Sequence, residues 1–274
     1  MPAPAIDAGA LARGGIELTV EGERATITLN RPDVLNAQTP STWRALRAVG
    51  DGLDPSVRVV VVRGAGRSFS AGLDRRMFTG EDVEGDAGLV SLAALADGDA
   101  KARIAGFQEA FTWLTDPARI TVAAVHGHAI GAGFQLALAC DLRILAEDAQ
   151  LTMAETTLGL VPDLGGTLPL VRHVGYPRAV EICLTGRRVP ADEALRIGLA
   201  NAVVPAGELD AATDALVKQL LKAPAGAATE TLALLASAAS GPTLEAQLEA
   251  ERAAQVRRIA ALAAANAAGN GSGQ

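Results

Sequence analysis

Residues 119–141, "RITVAAVHGHAIGAGFQLALACD", decide how the rest of the chain is read. They begin with a nearly unbroken apolar run of Ile, Val and Ala. Such a run, bounded by Gly, is the pattern of a strand buried on both faces of a parallel sheet. It leads to Gly131, and a helix is expected from about Ala132 or Gly133. The first N–H groups of a helix have no partner within it and carry the positive end of its dipole. Small residues there let a ligand oxygen approach, as in an anion or oxyanion site. They equally let a strand and a helix pack closely. Gln135, a lone amide, stands in the first turn.

A second run of the same kind lies upstream, in "VRVVVVRGAGRSFSAGLDRR" (57–76). Gly64, Gly66 and Gly72 follow its valines. Two Gly turns at the carboxyl ends of neighbouring parallel strands could each offer one N–H to the same oxygen. Arg75 and Arg76, beside the second turn, could meet phosphate. A third stretch, "AQLTMAETTLGLVPDLGGT" (149–167), sets two acids, Glu155 and Asp163, in an apolar window. Such a carboxyl has a raised pKa, which suits a general acid or base. Asp163 in "PDLGG" also suits a turn or a helix N-cap.

Around these stretches, residues 15–32 read as a hairpin with a Gly-containing turn at Glu21 to Glu23. Thr39 or Ser41 starts an amphipathic helix. Residues 79–99 are loop-like, residues 100–115 helical, and "DLRILAED" (141–148) is again a strand. Helices dominate from Gly165 onward, with a strand-like insert at "LANAVVP" (199–205). Strands and helices thus alternate to about residue 146, which indicates an α/β core followed by a helical region.

Composition narrows the function. The chain has 274 residues, 49% of them hydrophobic, and a net charge of −7. That balance lacks the basic footprint of a nucleic-acid binder. No apolar run has the length of a membrane span, and residues 1–15 have no basic n-region or long apolar h-region. A cytoplasmic protein with no membrane or nucleic-acid partner is expected. Cys140 and Cys183 are then reduced core residues. His126, His128 and His173 match no zinc motif, so no metal is expected. Nucleophile-elbow, Walker and Rossmann patterns are absent.

Five segments in order resemble the crotonase (enoyl-CoA hydratase/isomerase) superfamily, over roughly residues 16–255. They are "LNRPDVLNA" (29–37), "SFSAGLD" (68–74), "HGHAIGAGFQLALACDLRI" (126–144), "AETTLGLVPDLGGTLPLVRHVG" (154–175) and "EICLTGRRVPADEALRIGLANAVVP" (181–205). The resemblance implies an α/β fold, a spiral of β-β-α units with a helical C-terminal trimerisation region. With the loose composition of the two ends, the chain is expected to divide into a flexible leader (1–14), a core (15–200), a helical region (201–262) and a disordered tail (263–274). The resemblance also implies a homotrimer or a dimer of trimers. It implies a coenzyme A thioester as substrate, with no separate cofactor. The backbone N–H groups of Leu73 and Ala132 would bind the thioester oxygen. Asp33, Val34, Leu35, Ala71, Asp74, Arg75 and Arg76 would contact coenzyme A, with Asp33 where a basic residue is common.

The family's hydratases keep two glutamates at the pocket, and here those positions hold Gln135 and Glu155. An amide cannot act as a base, although it can hold a substrate or a water. The pattern therefore resembles the family's enoyl-CoA isomerases, which move a proton with one carboxylate, here Glu155. Asp163, eight residues on, resembles the second acid of dienoyl-CoA isomerases, which also carry an acid at the position of Gln135. The alternatives are an enoyl-CoA hydratase of fatty-acid or related acyl-CoA degradation, and a non-catalytic acyl-CoA binder.

Overall fold

The computed structural model describes residues 6–79, 82–83 and 88–271, with the side chains of 268–271 left out. A short helix, α1 (Ala8–Arg13), is capped by the Asp7 carboxylate, which accepts from Gly9 N. Residues 8–13 were expected to belong to a flexible leader. Their helix is held because Gly14 lets the chain press on the helix that follows: a Cβ there would lie 2.5 Å from Ala45 Cβ. The hairpin β1 (Ile16–Glu21) and β2 (Arg24–Leu29) comes next. Helix α2 (Pro40–Gly52) is N-capped by Thr39 in a capping box with Thr42.

Strand β3 (Val59–Gly64) precedes helix α3 (Asp97–Thr112). The loop expected at 79–99 is shorter than that. Residues 80–81 and 84–87 lie outside the described residues, Leu89–Ala94 is a 3-10 helix, and α3 already begins at Asp97. The stretch 119–130 is two strands rather than one, β4 (Ile120–Val125) and β5 (His128–Ile130). Gly127 makes the break. Its φ is +57°, and a Cβ would lie 2.2 Å from Arg67 O, so only glycine fits. Then come α4 (Ala132–Ala139), β6 (Leu142–Ala146), β7 (Gln150–Thr152), α5 (Thr167–Val174), α6 (Tyr176–Thr185), β8 (Val189–Pro190), α7 (Ala191–Arg196) and β9 (Ala202–Val204). Helices α8 (Leu209–Leu220), α9 (Ala225–Ala239) and α10 (Leu244–Gly271) end the chain. Of the disordered tail expected at 263–274, residues 263–271 continue α10, whose alanine-rich sequence favours helix, and 272–274 lie outside the described residues.

Six strands form one sheet in the order β1-β2-β3-β4-β6-β9, parallel except for the β1–β2 hairpin. Alternate residues serve two cores. Val60, Val62, Ala123, Val125 and Leu145 enter the main one, with α2 and α4. Val59, Val61, Val122, Ala124 and Ile144 face Leu209 and Val217 of α8. Burial on both faces explains the unbroken valine run. The second sheet, β5-β7-β8, is small. Arg143, 2% exposed, donates to Ala137 O and Cys140 O at the end of α4. A cation there suits the negative end of the helix dipole. Among the described residues no helix is long and apolar enough to cross a membrane.

Candidate active site

The two Gly turns meet as the sequence suggests, but the second turn follows β5, not β4. Ser70 N donates to His128 O at 2.8 Å, and Ile130 N donates to Ser70 O at 3.0 Å. The segment after β3 thus adds to the edge of β5. Gly72 then passes so close that a Cβ would lie 2.4 Å from Ile130 O and 3.5 Å from Ala132 N. Its φ of +83° also favours glycine. Leu73 N–H and Ala132 N–H flank this contact. Among the described residues neither donates a hydrogen bond. Ala132 is the first residue of α4, so its N–H has no helical partner.

Polar side chains that sequence reasoning passed over hold the first turn. Asn36, buried and at φ +54°, donates to Ala65 O and Ser68 O at 2.8 Å each. Gln38 N donates to Gly72 O at 2.7 Å, and Asp74 N to Gln38 O at 2.8 Å. The Gln38 side chain donates to Ser70 Oγ at 3.1 Å and accepts from Trp43 Nε1 at 2.8 Å. Their only signal in the sequence was a cluster of amides and hydroxyls beside apolar runs.

Glu155 follows β7 at the head of a 3-10 turn, Glu155–Leu158. A Cβ at Gly131 would lie 3.2 Å from its Oε1, which sets the carboxyl beside Ala132. Gln135 Nε2 donates to that Oε1 at 2.7 Å. The other face of the amide is also used: Gln135 Oε1 accepts from Leu164 N at 2.9 Å and from Gly166 N at 3.1 Å. Gln135 is 1% exposed. Its carbonyl oxygen is therefore committed to the loop that carries Asp163, not to a water. Glu155 Oε2 is buried and has no hydrogen-bond partner among the described residues.

Burial raises the pKa of Glu155, and the charge of Asp163 adds to that, while the Gln135 hydrogen bond opposes it. Burial raises Asp163 too. Asp163 caps no helix: the N-cap of α5 is Gly166, without a side-chain bond. Gln108 of α3 holds its backbone, with Nε2 donating to Asp163 O at 2.7 Å.

The residues expected at coenzyme A converge in part. Leu35 O accepts from Ala71 N at 2.8 Å, which brings the 33–35 turn to the Gly turn. Asp33, Val34, Arg75 and Arg76 are exposed there. Asp74 does not join them. It is 5% exposed, with its carboxylate 2.7 Å from Arg76 and 3.3 Å from Arg31. The Arg76 hydrogen bond and the nearby guanidinium charges hold its pKa at about 2. Asp74 therefore fastens the turn, and Arg75 beside it is exposed. Both cysteines are free, Cys140 buried and Cys183 half-buried. Among the described residues no three His, Cys, Asp or Glu side chains are grouped to hold a metal ion.

Comparison with known proteins adds to this geometry. Residues 20–265 match the sequence profile of the family described as Enoyl-CoA hydratase/isomerase. The chain is 37% identical over 198 residues to a carnitinyl-CoA dehydratase of Proteus mirabilis, covering 71% of this chain and 69% of that protein. It is 35% identical over 185 residues to a "Probable enoyl-CoA hydratase" of Mycobacterium bovis, covering 67% and 66%. A crystal structure of "a putative enoyl-CoA hydratase" from Thermobifida fusca YX, in complex with acetoacetyl-CoA, is 49% identical. It superposes with a TM-score of 0.90 over 94% of this chain and 99% of that one.

Proposed function

This chain belongs to the enoyl-CoA hydratase/isomerase family and carries out acyl-CoA chemistry, and on that premise we propose that it shifts a double bond in an enoyl-CoA thioester through Glu155. The N–H groups of Leu73 and Ala132 receive the thioester oxygen and stabilise the enolate, which acidifies the adjacent carbon. One such donor is worth about 10²–10³ in rate. Glu155 takes a proton from one carbon and returns it to another. The exposed rim of Asp33, Val34, Leu35, Ala71, Arg75 and Arg76 receives coenzyme A. Apolar side chains left exposed along α10, Leu244, Val256, Ile259 and Leu262 among them, support a homotrimer or a dimer of trimers.

One observation carries the reading. The acid has one oxygen tied to Gln135 and the other unpartnered, and the site that would hold a second acid is an amide whose carbonyl is spent on the backbone. The test is ultraviolet absorbance of the conjugated thioester. A 3-enoyl-CoA should gain it, and Glu155→Ala should abolish the gain; an active Glu155→Ala enzyme rules the mechanism out.

A second reading is hydration or dehydration. The names of the relatives favour it, and Asp163 supplies a second carboxyl whose charge is felt by Glu155. In the same assay it requires absorbance to fall when 2-enoyl-CoA is added.

A further inference from the structure

Beside the candidate donor Leu73 lies a cleft of about 630 Å³, open to solvent on one side. It lies between α2 and α3. Its apolar wall is Trp43, Leu73, Met77, Leu89, Leu92 and Phe107. Trp43 and Phe107 pack with ring centroids 4.8 Å apart and planes tilted by 53°, and form its floor. Arg44, Arg47 and Arg103 line it as well. All three are exposed, Arg44 donates to Ser41 Oγ and Arg47 pairs with Asp51 and Glu109, so the heads are held outward while the stems can extend the apolar wall. The pocket is of the size that takes a drug-sized ligand, roughly 300–1,000 Å³. It is far larger than a two- or three-carbon tail needs.

Two features keep the space open. Gly106, in the middle of α3, lines it, and a Cβ built there would touch nothing within 4 Å. Glycine is a poor choice for a helix interior, and no positive φ or close backbone contact at Gly106 requires it. The absent side chain leaves volume in the pocket. Gly88 faces the same space from the other wall.

We propose that this pocket receives the far end of the acyl chain, that the preferred substrate carries an extended or ring-bearing apolar acyl group of about eight carbons or more, and that Gly106 sets this preference. The inference rests on the reading of Leu73 as an oxyanion donor, because the tail must start from a thioester held there. Each methylene buried adds about 0.8 kcal/mol, or about fourfold.

The experiment measures kcat/KM for trans-3-enoyl and trans-2-enoyl thioesters of four, eight and ten carbons, on wild type and on Gly106→Leu. In the wild type kcat/KM should rise at least about tenfold from four carbons to eight. In Gly106→Leu the ratio of eight to four carbons should fall by about tenfold or more. Gly106→Ala, which improves helix propensity, should keep or raise Tm and show that the position tolerates a side chain. A flat length profile in the wild type, or an unchanged ratio in Gly106→Leu, overturns the proposal. The parallel measurement is Kd for saturated butyryl-CoA and octanoyl-CoA. If no thioester is turned over but octanoyl-CoA still binds more tightly, and Gly106→Leu removes that difference, the reaction is wrong and the pocket stands. Equal affinities overturn the pocket.

Discussion

Gln135 and Glu155, twenty residues apart, share a hydrogen bond of 2.7 Å from Nε2 to Oε1. The acid is thereby held in one orientation by a residue that cannot itself ionise. Gln135→Glu replaces the donor with a second carboxyl at the same spot. Two carboxyls at that distance must share a proton, and the pair gains a second ionisation. The expected result is a pH–rate profile with an added step. If the second acid is all that hydration lacks, water addition to 2-enoyl-CoA should also rise at least about tenfold. No gain would mean the pocket differs from a hydratase by more than this side chain.

Removing the acid isolates its contribution. Glu155→Gln keeps an acceptor for Gln135 and removes the ionisable group. Turnover should fall about 10²- to 10⁴-fold, while saturated acyl-CoA still binds, as followed by titration calorimetry. Loss of binding together with turnover would argue that Glu155 holds the site together rather than moving protons.

The N–H of Ala132 can be deleted without deleting the helix. Proline is well accepted at the first helical position, where its missing N–H had no partner. Ala132→Pro should keep the helical circular dichroism and lower kcat by about 10²–10³. Activity close to wild type would remove Ala132 from the oxyanion site.

The buried acids also set how stability depends on pH. Glu155 and Asp163 have folded pKa values raised above their unfolded ones. Their stabilising effect is complete below the unfolded carboxyl range. It is lost as pH rises through the folded values. Asp74 has the opposite sign. Held at about 2 against a usual 3.8, it contributes above 3.8 and loses that contribution as pH falls towards 2. Its partner Arg76 is half exposed, so the contribution is about 1–2 kcal/mol rather than more. Thermal melts across pH should show Glu155→Gln and Asp163→Asn gaining stability relative to wild type on going from acid to neutral pH. Asp74→Asn should lose its deficit in strong acid. Parallel curves for all four proteins would contradict these signs.

Much of the frame was legible in the sequence because it rests on local pattern. The valine run of β3, the hairpin and the Thr39 cap each follow from a few neighbouring residues. The meeting of the two Gly turns was legible, and so were the two acids as a pair in an apolar window. What escaped depends on distant contacts. The break at Gly127 is imposed by Arg67 O, sixty residues earlier, and an apolar run cannot disclose which sheet each half joins. Gln135 was read as free to hold a water, but Leu164 and Gly166 occupy its carbonyl. Asp74 looked like part of a ligand rim, but Arg31 and Arg76 turn it inward.

The switch from one sheet to the other at Gly127 has a mechanical result. Ser70 is bonded to β5, Ala132 follows β5 directly, Gly131 N donates to Thr152 O of β7 at 2.8 Å, and Glu155 stands three residues past that strand. Both Gly turns and Glu155 are therefore bolted to the same three-stranded plate. Bending or shearing of the six-stranded sheet moves them together, as a tool is carried by its holder.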